Sequence, residues 1–121
     1  MSGTKEQNDT FCLDLIENTE SAEVLPWLQD DSKPRSLGVL RGTEESIEFV
    51  QEVFDAGAVQ VFAVEIDDEG DFENTGKLCI ELPDDPDLRQ SVLNWTGEIA
   101  REQGYEQELD IGQKYVFVML D

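Results

Sequence analysis

The sequence predicts an α+β domain of ferredoxin-like type, a βαββαβ sandwich with a four-stranded antiparallel sheet and two helices on one face, preceded by an N-terminal arm. Three observations predict it. Residues 36–66 read as strand, helix and strand with a turn residue at each join, residues 77–82 alternate apolar and polar side chains, and a second capped helix pattern leads into a final apolar run. The arm is expected over residues 1–34 and the sandwich over 35–121.

The first strand is expected over 37–41 and ends where Gly42-Thr43 breaks it. A helix over 43–56 follows, with the Thr43 hydroxyl as its cap and Glu44, Glu45 and Glu48 near the positive end of its dipole. Ile47, Val50, Val53 and Phe54 recur at helical spacing and form one apolar stripe. Gly57 stands where a left-handed cap belongs, since glycine has no Cβ to clash there. The strand over 59–66 is rich in β-branched and aromatic residues and is apolar on both faces apart from Gln60 and Glu65, so both faces need a cover.

Residues 67–76 read as an acidic, turn-rich hairpin loop. In 77–82, Leu78, Ile80 and Leu82 point one way and Lys77, Cys79 and Glu81 the other, the pattern of a half-buried strand paired with 59–66. Asp85 as cap, Pro86 at the first helical position and Asp87 in the first turn open the second helix. Leu88, Val92, Trp95 and Ile99 give its stripe and Gly104 its end. The last strand is expected over 115–120.

Residues 1–10 are polar and read as a disordered tail without a secretory apolar core. Phe11 to Ile16 is an apolar run too short for periodicity to separate strand from helical turn. Val24, Leu25, Trp27 and Leu28 cluster around Pro26, which argues against a long helix, and 30–34 has linker composition.

The sheet face away from the helices carries either Tyr115, Phe117 and Met119 or Val116, Val118 and Leu120, depending on register. A bare apolar face of that size is unusual on a monomer. The arm, anchored by Phe11, Leu15 and Trp27, a second copy, or a different partner is expected to cover it. Tyr115, Phe117, Met119, Phe11 and Trp27 are therefore the candidate interaction surface.

The chain of 121 residues holds 29 acids against 8 bases, a net charge of −21. That field repels nucleic acid and anionic lipid and favours basic partners or cations, so no direct nucleic-acid or membrane binding is expected. No apolar run reaches the ~18 residues of a membrane span. Two cysteines without CxxC spacing, Cys12 and Cys79, read as free thiols of a reducing compartment, and a cytoplasmic location is expected.

There is no histidine, which removes Ser/His/Asp and Cys/His catalysis and histidine-ligated metals. Asp67, Glu69 and Asp71 match the first ligand positions of an EF-hand loop, but Phe72 stands at the glycine position and Leu78 at the glutamate position. Weak divalent-cation binding at Asp67, Glu69 and Asp71 is the most that pattern supports. Asp84, Asp85 and Asp87 are explained by helix capping, and no phosphate-binding glycine motif occurs. Arg41 and Lys114 are cations placed at strand ends, where they could hold an anion.

The composition therefore points to a non-catalytic acidic binding or regulatory module that acts through protein–protein contacts or self-association, without a cofactor. Two alternatives come from other classes: a nucleic-acid mimic that inhibits a basic protein, and a small enzyme using carboxylates and a divalent ion.

Overall fold

The computed structural model describes residues 4–40 and 42–120. In chain order the elements are α1 (Lys5–Asn18), β1 (Ala22–Glu23), α2 (Val24–Gln29), β2 (Arg35–Leu37), α3 (Thr43–Ala56), β3 (Gln60–Val64), β4 (Asp67–Asp68), β5 (Glu73–Thr75), β6 (Lys77–Glu81), α4 (Pro86–Glu102) and β7 (Tyr115–Met119). The architecture is mixed α+β, with four helices and a four-stranded antiparallel sheet among the described residues. Among the described residues no helix is long and apolar enough to cross a membrane.

The main sheet has the order β1-β3-β6-β7, which is not the ferredoxin-like order expected from the sequence. The expected first strand is the reason. It occupies Arg35–Leu37, not 37–41, and stops at Gly38, whose φ of +50° turns the chain so that Leu40 N–H reaches Leu37 C=O at 2.8 Å. Its backbone then pairs in parallel with β5, which in turn pairs antiparallel with β4, giving a separate sheet of order β2-β5-β4. The acidic stretch 67–76 is thus part of a small sheet as well as a hairpin excursion. The vacant edge of β3 is taken by β1, with Ala22 opposite Ala63. Arg41, the expected end of the first strand, lies outside the described residues.

Register divides the side chains as alternation requires. Val61, Ala63, Leu78, Ile80, Val116 and Val118 join Val24, Trp27 and Leu28 of α2, Val50 and Val53 of α3, and Val92 and Leu93 of α4 in the larger buried cluster. Phe62, Val64, Cys79, Tyr115 and Phe117 face the other way, and Cys12, Leu15 and Ile16 of α1 lie against them.

Helix α1, capped by Thr4, corrects the expected disordered tail over residues 4–10, and residues 1–3 of that tail lie outside the described residues. The Thr4 hydroxyl accepts from Gln7 N–H at 3.2 Å while the Gln7 side chain accepts from Thr4 N–H at 3.0 Å, a reciprocal cap. Its first half docks through polar groups: Asn8 Nδ2 donates to Tyr115 C=O at 2.7 Å, and Asp9 accepts from Lys114 N–H at 2.9 Å. In α2, Pro26 is the third residue, where its missing N–H leaves no helical bond unmade.

Two details of the other helices also differ from expectation. Gly42, not Thr43, is the N-cap of α3, and Thr43 Oγ1 instead donates to Arg35 C=O at 2.6 Å. In α4 the buried face is Val92, Leu93, Thr96 and Gly97, with Trp95 and Ile99 only partly buried and Leu88 exposed. The apolar count missed Gly97, which is buried because the chain after α4 folds back over it. A Cβ there would lie 2.6 Å from Gln107 Cδ.

Candidate functional site

The two edges of the main sheet are unequal. At one, β1 is two residues long, a short edge that offers little to pair with. At the other, β7 runs for five residues. Leu82 N–H donates to Lys114 C=O at 2.8 Å and Leu120 N–H to Gly76 C=O at 2.7 Å, which sets the phase of the β6–β7 ladder. Val116 and Val118 therefore bond to β6, and Tyr115, Phe117 and Met119 turn their N–H and C=O groups to the free edge.

Side chains cover both ends of that edge. Asp9 Oδ1 accepts from Tyr115 N–H at 3.2 Å, Asn8 Nδ2 donates to Tyr115 C=O, and Gln103 Nε2 donates to Met119 C=O at 2.6 Å. The middle is left open. Phe117 N–H, Phe117 C=O and Met119 N–H have no hydrogen-bond partner among the described residues.

A groove of about 750 Å³ opens at this point, between β7, the second half of α4 and the segment 103–109. Thr96, Gly97, Ile99 and Ala100 of α4 line one side, Val116 to Met119 another, and Glu106 and Glu108 stand on the segment. The returning segment is held at both ends. Tyr105 N–H donates to Ala100 C=O at 2.8 Å, and Gln107 Nε2 donates to Asn94 Oδ1 at 2.8 Å. Further on, Arg89 Nη2 donates to Asp110 Oδ1 at 2.8 Å and to Gln113 C=O at 2.7 Å. The Asp110 carboxyl is held below the usual range by Arg89 first and by the Gly112 N–H second. Between those anchors Tyr105 and Leu109 are 63% and 75% exposed, apolar surface beside an open groove.

The sequence-derived surface residues are only partly brought together. Phe11 meets Phe117 edge to face, with ring centroids 5.1 Å apart at 84°. Tyr115 is buried beneath α1, and burial raises its hydroxyl pKa. Met119 is half-buried at the end of the same row. Trp27 is elsewhere, in the larger cluster, with Nε1 donating to Glu73 Oε1 at 2.9 Å. Lys114 lies with Nζ 5.5 Å from the centre of the Tyr115 ring, a cation–π contact.

Asp67, Glu69 and Asp71 are exposed around β4 and its turn, and no group of three metal-ligating side chains converges among the described residues. A cleft of about 460 Å³ is lined by Asp67 and Glu69 but not Asp71, and also by Arg35, Thr43, Phe72 and Asn74. Its arginine is already engaged. Arg35 is 8% exposed and bonds to Glu73 and to Asp30 C=O. Comparison with models of protein families, with curated proteins and with solved structures finds no match.

Sequence reasoning singled out β7 but not its edge. The ends of the open edge are covered by Asn8, Asp9 and Gln103, polar residues far apart in sequence, and only the fold brings them to one strand.

Proposed function

We propose that this chain is a non-catalytic acidic binding module that acts through protein–protein contacts, and that the groove beside β7 is its working surface. The observation that carries this reading is the groove itself. It combines apolar walls with a few polar groups along an open strand edge, and exposed Tyr105 and Leu109 border it. Aromatic side chains at such borders are frequent anchors of protein contacts. Free thiols at Cys12 and Cys79 suit the reducing cytoplasm we assign to it.

The test is selection from a random peptide display library against the full-length chain, followed by amide chemical-shift mapping of the selected peptides. Selected binders are expected to compete for one site and to perturb residues 96–109 and 115–119. Binders that perturb only other surfaces, or a library that yields none, would overturn the reading.

A further inference from the structure

Building on the binding-module reading, we infer that the groove takes an extended, basic peptide segment as an added strand on the edge of β7. Three backbone groups of that edge are open among the described residues, Phe117 N–H, Phe117 C=O and Met119 N–H, while the groups flanking them are covered by Asn8, Asp9 and Gln103. One residue of an incoming antiparallel strand placed opposite Phe117 would make both of its bonds, and the residue two positions along, opposite Met119, would accept from Met119 N–H. Strand addition of this kind draws affinity from main-chain bonds and specificity from alternate side chains.

Alternation then sets the chemistry of the occupant. Every second side chain would point to the α4 side, where Ile99, Ala100, Val116 and Val118 present an apolar wall. The outer rim is acidic, with Glu106 and Glu108 on the segment that faces β7 across the groove. The nearby cation Arg101 is already bonded to Gln107 Oε1 at 2.6 Å. Alternating apolar and basic residues match both surfaces. A second copy of this chain in the same place would bring another net charge of −21 to the interface, which opposes edge-to-edge self-pairing.

The experiment titrates the full-length chain with a capped nonapeptide alternating lysine and valine, beside a control alternating glutamate and valine. Binding is read by amide chemical shifts and by hydrogen exchange. The lysine peptide is expected to saturate, to slow exchange of the Phe117 and Met119 amides at least about tenfold, and to weaken steeply as salt rises to ~0.3 M. The glutamate peptide should not bind. Met119→Pro removes an edge donor that no ladder bond uses, a change tolerated on edge strands, and should weaken the lysine peptide several-fold and lower the protection of the Phe117 amide accordingly. The double variant Glu106→Gln, Glu108→Gln should weaken the lysine peptide several-fold while leaving circular dichroism unchanged. Equal binding of the glutamate peptide, or lysine-peptide binding without protection at Phe117, would overturn strand addition. Display-selected binders that shift the groove yet leave Phe117 unprotected would sink this inference and spare the binding-module reading, and binders that never touch the groove would sink both. Protection of Phe117 without any peptide, in a dimer that salt does not dissociate, would make a second copy the occupant and overturn the basic-peptide inference.

Discussion

Arg35 Nε donates to Glu73 Oε1 across 2.7 Å, and that bond ties the two parallel strands of the small sheet to the larger cluster, because the same oxygen accepts from Trp27 Nε1 at 2.9 Å. The guanidinium is 8% exposed and the carboxylate side chain 16%. A pair this deep is costly to break, since loss of one member leaves the other charged and poorly hydrated. Glu73→Gln is therefore expected to lower stability by about 2 kcal/mol, a fall in the melting midpoint of roughly 6–10 °C. Asp68→Asn, which removes the exposed partner of Lys33, should leave the midpoint unmoved. Thermal unfolding of both variants beside the parent checks the contrast.

The same pair carries a pH signature. Arg35 first, then Trp27, hold the Glu73 carboxyl below its ordinary value of 4.5. A depressed folded-state value contributes stability that is present above the unfolded value and is lost as pH falls through the folded one. The stability gap between the parent and Glu73→Gln, measured by urea unfolding, should be full near pH 6 and should shrink as pH falls below the ordinary carboxylate value toward the depressed folded-state one. An unchanged gap at pH 3 would contradict the ionic assignment. Asp30 and Asp68 are also depressed, by the Ser32 and Gly70 backbone N–H groups first, but solvent screens these exposed sites and they add little.

Cys12 and Cys79 are both buried between α1 and the sheet, and Cys79 Sγ lies 3.9 Å from Cys12 C=O. The hydrogen bond with Cys79, then burial, push the Cys12 thiol pKa well up, so the reactive thiolate is scarce. Alkylation at pH 8 is expected to be slow in the native protein and to reach both thiols once denaturant unfolds it. A rapid phase of one thiol per chain under native conditions would mean that α1 opens readily from the sheet.

Gly38 offers a backbone test. Its φ is +50°, and a Cβ there would lie 2.4 Å from Leu120 C=O, a backbone atom with little room to retreat. Gly38→Ala should destabilise by about 2 kcal/mol or more. Gly70 has φ +89° with nothing within 4 Å, so Gly70→Ala should cost only the conformational strain, about 1 kcal/mol. Equal losses in denaturant unfolding would show that the contact with Leu120 is not the determinant.

The sequence by itself determined the α+β class, the α3 and α4 helices and the strands β3, β6 and β7, because each is written in local periodicity and punctuation. Val50 and Val53 sit at helical spacing, Leu78 and Ile80 alternate with Lys77 and Cys79, and Pro86 and Gly57 mark ends by backbone chemistry alone. Only the tertiary structure decided which strands pair and which side chains cover their edges. Helix α1 was hidden because its first half is polar, and its Asn8 and Asp9 dock on Tyr115 and Lys114, over a hundred residues away. The pairing of β2 with β5 was hidden for the same reason, since three residues on each strand hold no periodicity and the bond that fixes them, Arg35 to Glu73, spans 38 positions. Hydrogen bonds between distant polar groups leave no mark on local hydropathy, so the groove beside β7 could be seen only once the chain was folded.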